Sequence, residues 1–289
     1  MTEQTTGTVP AVVGVLGGGR MGAGIAHAFL TSGSTVTVVE RDEVSARAAR
    51  ERVEKDVAAS LKRGKIGGEL ADWSARLTVS VDRDAFAGCD LVVEAVPEDM
   101  QLKIDSLTDV ERCLGTDAWL ATNTSSLSVD VLAGYLQRPE RFCGLHYFNP
   151  VPASKLVEIV IGERTSNELE DLTARWVRGL GKTPVVVRDA PGFASSRLGV
   201  AIALEAIRMV EEGVATPEDI DNAMVLGYKF PMGPLALTDI VGLDVRLGIA
   251  EYLEGQLGER FAPPQLMRDM VVRGELGRKA GKGFFDYDG

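Results

Sequence analysis

Ala11-Val12-Val13-Gly14-Val15-Leu16-Gly17-Gly18-Gly19-Arg20-Met21-Gly22, near the start of a 289-residue chain, joins an apolar run to a glycine-rich one. The apolar run has the length of a buried parallel strand. The glycines fit the pattern G-x-G-x-x-G. A helix over Ala23 to Leu30 follows, with Ile25 and Phe29 four apart for packing on a sheet, and then a second strand, Thr35 to Val39, closed by Glu40. Each part has a task. Gly17 permits a tight turn, Gly19 lets backbone amides approach a pyrophosphate, and Gly22 lets helix and strand pack closely. The N–H groups of Arg20 and Met21, at the helix start, point toward bound phosphate. Glu40 is placed to accept hydrogen bonds from an adenosine ribose. Strand, glycines, helix, strand and terminal acid in this order indicate dinucleotide binding.

A carboxylate at position 40 binds a ribose 2′-hydroxyl and repels a 2′-phosphate, which favours NAD over NADP. Arg41 is the kind of neighbour that accommodates NADP; its alternative reading is a solvated charge at a strand end.

From Val12 to about Arg188 short apolar runs alternate with helical segments, as in a doubly wound α/β sheet. The predicted strands are Val12–Leu16, Thr35–Val39, Leu77–Val81, Asp90–Ala95, Trp119–Thr122, Phe142–His146, Leu156–Val160 and Pro184–Val187. Between the second and third lies a charged insertion, Glu43 to Arg76, reading as two helices. After Asp189-Ala190-Pro191-Gly192 the character becomes all-helical, with Leu198 to Val210 apolar almost all round. Thr216-Pro217-Glu218-Asp219 reads as a helix start. The predicted architecture is an N-terminal Rossmann-type sheet with a helical insertion, residues 1–188, followed by a small all-α domain, residues 189–289. An apolar helix in so small a domain calls for a partner surface, most commonly a two-fold homodimer.

The chain has two histidines. His146 lies in Gly144-Leu145-His146-Tyr147-Phe148-Asn149-Pro150, with Glu158 downstream in Lys155-Leu156-Val157-Glu158. An imidazole exchanges protons near neutrality, and a carboxylate beside it fixes its tautomer and offsets the imidazolium charge. His27 falls to one side of the first helix and reads as structural. Asp239 and Asp244, flanking Val241-Gly242-Leu243, read as helix-capping acids.

Further blocks stand in order along the chain: Leu91-Val92-Val93-Glu94-Ala95-Val96-Pro97-Glu98, Asn123-Thr124-Ser125-Ser126-Leu127, Pro191-Gly192-Phe193, Pro231-Met232-Gly233-Pro234 and Gly281-Lys282-Gly283-Phe284-Phe285. With the glycine loop and the His146 and Glu158 segments, they make the chain, from about Val12 to Tyr287, resemble the L-3-hydroxyacyl-CoA dehydrogenases. The short stand-alone 3-hydroxybutyryl-CoA type is the nearest in character.

The resemblance implies a catalytic pair at His146 and Glu158, and a serine holding the substrate's 3-hydroxyl at Ser125. It also implies NAD contacts at Glu40, Glu98, Lys103, Ser125 and Asn149, and a substrate thioester lying between the sheet's C-terminal edge and the helical domain. One position departs from the pattern. Where the family carries an asparagine that orients the reacting groups, this chain has Ser196, a shorter side chain with one donor in place of two. The resemblance further puts coenzyme A contacts near the helical insertion, where Lys62, Arg63 and Lys65 stand. Their alternative reading is a favourable basic helix end with glycine beyond it. Two other functions stay open: a related dehydrogenase of free hydroxy acids, and a non-catalytic NAD-binding protein. Retention of Lys155-Leu156-Val157-Glu158 speaks against the first, and the intact His146, Glu158 and Ser125 against the second.

A net charge of −11 with no dominant basic face argues against nucleic acid and anionic membranes. No apolar stretch reaches transmembrane length, and Met1 to Pro10 lack the apolar core of an export signal. Three cysteines without a C-x-x-C, and two scattered histidines, predict neither a disulfide framework nor a metal site. The expected setting is a reducing cytoplasm.

Overall fold

The computed structural model describes residues 8–287. The chain divides into two compact units, one up to Asp189 and one from Ala190 onward. The first is built on eight strands: β1 (Val12–Leu16), β2 (Thr35–Val39), β3 (Leu77–Ser80), β4 (Leu91–Glu94), β5 (Trp119–Thr122), β6 (Phe142–Tyr147), β7 (Leu156–Ile161) and β8 (Thr183–Arg188). Their order is β3-β2-β1-β4-β5-β6-β7-β8. All eight stand where the sequence predicts them, with ends shifted by a residue or so. The order reverses between β1 and β4, the switch point at which such sheets bind ligands beyond their C-terminal ends.

One pairing is antiparallel, that of β6 with β7. Only residues 148–155 join these strands, and a parallel return needs a crossover of roughly a dozen residues or more. The chain therefore doubles back.

Helices α1 (Arg20–Thr31), α2 (Glu43–Lys62), α3 (Leu70–Ser74), α4 (Met100–Cys113), α5 (Val129–Ala133) and α6 (Asn167–Gly179) complete this unit. Buried Val13, Val15, Val36, Val38, Leu91 and Val93 of the central strands pack with Ile25 and Phe29 of α1 and Val53 and Val57 of α2. Burying each such side chain is worth about 1.5–3 kcal/mol against leaving it in water. The insertion contributes α2 and α3, and α2 ends where the basic run begins, with Gly64 at φ +63°.

The second unit comprises α7 (Ser195–Glu211), α8 (Pro217–Asn222), α9 (Pro234–Val241), α10 (Leu243–Leu257) and α11 (Gln265–Val272). Val200, Leu204 and Ile207 of α7 pack with Ile220, Leu235, Leu253 and Met267. Thr216 caps α8 as predicted, accepting the Asp219 N–H. Asp239 corrects the sequence reading. It sits inside α9, fully buried, and its carboxylate accepts the N–H groups of Phe284 and Phe285 and the Tyr287 hydroxyl. It docks the C-terminal segment and caps no helix. Asp244 lies in the first turn of α10 and pairs with Lys279 at 2.6 Å.

Candidate active site

The glycine loop follows β1 directly. Gly17 has φ +90°, a conformation side chains resist, and donates its N–H to Val39 O at 2.9 Å. A Cβ on Gly22 would lie 1.7 Å from Gly17 O, so only glycine lets α1 come this close to the loop. Gly19 is the N-cap of α1, which carries no side-chain cap and no acid in its first turn. Arg20 is exposed and Met21 half-buried. Glu40 follows β2 and turns back to the loop, its Oε1 accepting the Gly18 N–H at 2.7 Å. Arg52 of α2 donates to Gly18 O at 3.1 Å. Arg41 points away, paired on the surface with Asp42.

A second cluster lies beyond β4 and β5. Glu94, the last residue of β4, is fully buried and binds Lys103 of α4 at 2.7 Å. Lys103 is itself buried, and its ammonium also reaches Val96 O at 3.3 Å and Glu98 Oε2 at 3.4 Å. Glu98 Oε1 accepts the Ser125 N–H at 2.8 Å, the Thr124 hydroxyl at 2.5 Å and, more loosely, the Ser126 N–H and the Ser125 hydroxyl. Burial works against its ionisation, yet Lys103 and the Thr124 and Ser125 donors win and hold its carboxyl below the usual range. Glu98 and Lys103, five residues apart, thus share one network with the distant Ser125. Glu94, Thr122 and Thr124 belong to it too, and the sequence reading missed them; a lone acid closing an apolar strand, Val92-Val93-Glu94, is the signal available.

His146 sits near the end of β6, opposite Glu158 of β7 in the antiparallel register. Its Nδ1 lies 2.8 Å from Glu158 Oε2, and both residues are buried. Phe148 packs against the imidazole with ring centroids 4.4 Å apart. Asn123 accepts the Tyr147 N–H through Oδ1 at 2.9 Å, tying the end of β5, which leads to Ser125, to the strand that carries His146.

The other candidates are placed more simply. Asn149 is exposed just after β6; Lys62, Arg63 and Lys65 are exposed around the end of α2. Ser196 lies in the first turn of α7, half-buried, in the second unit. His27 is buried in α1 with Nε2 2.9 Å from the Ser60 hydroxyl of α2. The cysteines are free thiols, and burial raises Cys143 to about 12 and Cys89 to about 11, far from a reactive thiolate.

Residues 12–190 match the NAD binding domain of 3-hydroxyacyl-CoA dehydrogenase, and residues 192–287 match the C-terminal domain of the same family. The chain belongs to the 3-hydroxyacyl-CoA dehydrogenase family. A probable 3-hydroxybutyryl-CoA dehydrogenase of Deinococcus radiodurans is 41% identical over 95% of this chain and 99% of that relative. A 3-hydroxybutyryl-CoA dehydrogenase of Mycobacterium tuberculosis is 40% identical over 95% and 98%. Among solved structures, that of the (S)-3-hydroxybutyryl-CoA dehydrogenase from Ralstonia eutropha superposes with a TM-score of 0.92. It is 36% identical, covering 97% of this chain and 100% of that one.

The family makes this chain an NAD-dependent oxidoreductase, and the loop fits that cofactor. The space beside Gly19 is open, with nothing within 4 Å of a Cβ placed there. The uncapped start of α1 has N–H groups suited to a pyrophosphate, and Glu40 sets a carboxylate rather than a cation beside the loop.

Proposed function

We propose that this dehydrogenase interconverts a short-chain L-3-hydroxyacyl-CoA, 3-hydroxybutyryl-CoA being the representative, and its 3-ketoacyl-CoA, with His146 and Glu158 as the acid–base pair. The observation that carries the reading is the buried 2.8 Å contact between His146 Nδ1 and Glu158 Oε2. With Nδ1–H donating to a carboxylate, Nε2 is the atom that exchanges the proton. In oxidation His146 takes the proton of the 3-hydroxyl, Ser125 hydrogen-bonds that hydroxyl, and Glu158 offsets the imidazolium charge. In reduction the proton returns by the same route. NAD, when bound, supplies the hydride acceptor at its nicotinamide C4. Glu40, Glu98, Lys103 and Asn149 serve the cofactor, Glu40 at the adenosine ribose. Lys62, Arg63 and Lys65 meet the phosphates of coenzyme A while also serving as the basic end of α2. Ser196 takes over, more weakly, the orienting task of the family's asparagine.

The second unit is assigned to substrate binding and dimerisation. It leaves Leu198, Leu226, Tyr228, Leu237, Ile240 and Val245 exposed, which supports a homodimer that covers them. Three free cysteines support a reducing, cytoplasmic setting.

Purified protein mixed with acetoacetyl-CoA and NADH tests the activity directly through the loss of NADH absorbance. Turnover of the thioester with little on free acetoacetate is the result expected. Preference for the free acid would assign the chain to another branch of hydroxy-acid oxidation, and light scattering reads the dimer.

A further inference from the structure

Glu94 closes β4 with no exposed surface, and both its oxygens are engaged. Oε1 accepts the Val96 N–H and the Lys103 ammonium, each at 2.7 Å; Oε2 accepts the Thr122 hydroxyl at 2.6 Å. Two routes lead from these bonds to the turn at residues 124–126. The charged route runs through Lys103 to Glu98, whose Oε1 gathers the donors of Thr124, Ser125 and Ser126. The neutral route runs through Thr122. With its O–H donating to Glu94, the Thr122 oxygen accepts from the Thr124 N–H at 3.2 Å.

A buried ion pair is a poor source of stability, because apolar side chains of the same volume commonly do as well or better. What an apolar pair cannot do is fix the direction of a neighbouring carboxylate. Glu94, anchored by three donors from a loop, a helix and the adjacent strand, fixes two such directions at once. Both end on the turn that carries Ser125.

Resting on the assignment of Ser125 to the substrate's hydroxyl, we infer that Glu94 is a positioning residue for the reaction. It sets the place of Ser125 through Lys103 and Glu98 on one side and through Thr122 on the other. Its charge holds Lys103 between two carboxylates, and its second oxygen orients the Thr122 hydroxyl.

A double-mutant cycle on the full-length enzyme tests this, with acetoacetyl-CoA and NADH as substrates. Glu94→Gln should lower kcat about tenfold and Thr122→Val about threefold, since sub-ångström misplacement of a reacting group costs rates of this order. Once Ser125→Ala has removed the hydroxyl, each should change kcat by no more than about twofold, the sign that they act through it. Equal losses in both backgrounds, tracking a fall in melting temperature, would mean a purely structural Glu94 and overturn the inference alone. Unchanged turnover in Ser125→Ala would instead overturn the assignment of Ser125, and the inference with it. Should Glu94→Gln fail to fold, Thr122→Val, which preserves every charge, carries the same cycle.

Discussion

His146 and Glu158 stand directly opposite each other on β6 and β7, with Nδ1 and Oε2 2.8 Å apart and both side chains buried. The pair exists because the chain reverses over residues 148–155, so a twelve-residue separation in sequence becomes a cross-strand neighbour. His146→Gln should cut turnover about a hundredfold or more while NADH still binds, the range for losing an acid–base catalyst. Glu158→Gln preserves shape and removes the charge, and should lower kcat about tenfold or more with KM little changed. Stopped-flow or steady-state kinetics with NADH titration by fluorescence would check both; near-normal turnover in His146→Gln would refute the mechanism.

Glu40 anchors the loop by accepting the Gly18 N–H at 2.7 Å, and its proposed second task is at the adenosine ribose of the cofactor; substitutions separate the two. Glu40→Ala should weaken NADH about ten- to a hundredfold, the worth of a charge-assisted hydrogen bond, and narrow the gap to NADPH. Glu40→Gln keeps an acceptor for Gly18, so it should lose less NADH affinity while gaining on NADPH. Dissociation constants for both cofactors decide the matter, and a wild-type preference for NADPH would shift the assignment to Arg41.

Gly22 tolerates no side chain, since a Cβ there would lie 1.7 Å from the backbone oxygen of Gly17. Backbone cannot swing aside as a side chain can. Gly22→Ala should cost about 1–3 kcal/mol of strain, a drop in melting temperature of roughly 2–12 °C, and weaken NADH binding. An alanine variant with wild-type melting and NADH affinity would contradict the tight loop packing.

His27 should give stability a pH dependence. Burial lowers its pKa from 6.5, assisted by Lys182 and Lys65 and opposed by Asp56. Among the described residues its Nδ1 has no hydrogen-bond partner, so protonation would bury an N–H with nothing to accept it. A folded-state pKa below the unfolded one means the unfolded chain binds more protons. The contribution is present above about pH 6.5 and fades as pH falls below it. Thermal melts at pH 7.5 and 5.5 should show a smaller acid drop for His27→Gln than for wild type, by roughly 2–4 °C per kcal/mol of linkage removed. Equal drops would clear His27 of any role.

Ser196 lies in the first turn of α7, at the position where the family resemblance implies an asparagine. If its hydroxyl orients the reacting groups, Ser196→Ala should lower acetoacetyl-CoA reduction about three- to tenfold, the worth of one neutral hydrogen bond. Ser196→Asn should keep or raise activity. An unchanged alanine variant together with an inactive asparagine variant would make Ser196 a packing residue.

Much of the fold is legible in local pattern. Val12–Leu16 is a strand from edge to edge because its apolar run is satisfied by burial on both faces, and Thr35–Val39 because its β-branched threonines and valines suit a pleated strand. The loop from Gly17 to Gly22 announces its backbone conformation because only glycine accepts it. Thr216 announces a cap because its hydroxyl serves a backbone three residues on. These are signals between near neighbours, which the residue order carries by itself.

Tertiary structure alone decided which distant side chains meet. Buried Glu94, Lys103 and Thr122 join one network with the more exposed Glu98 and Ser125 because β4 and β5 are adjacent and α4 folds back on them. Asp239 binds a segment more than forty residues away, where its place beside Val241-Gly242 had pointed to a local cap. A polar side chain satisfies its hydrogen bonds with whatever the fold brings within about 3 Å. That neighbour is set by chain topology, and no periodicity in the residue order encodes it.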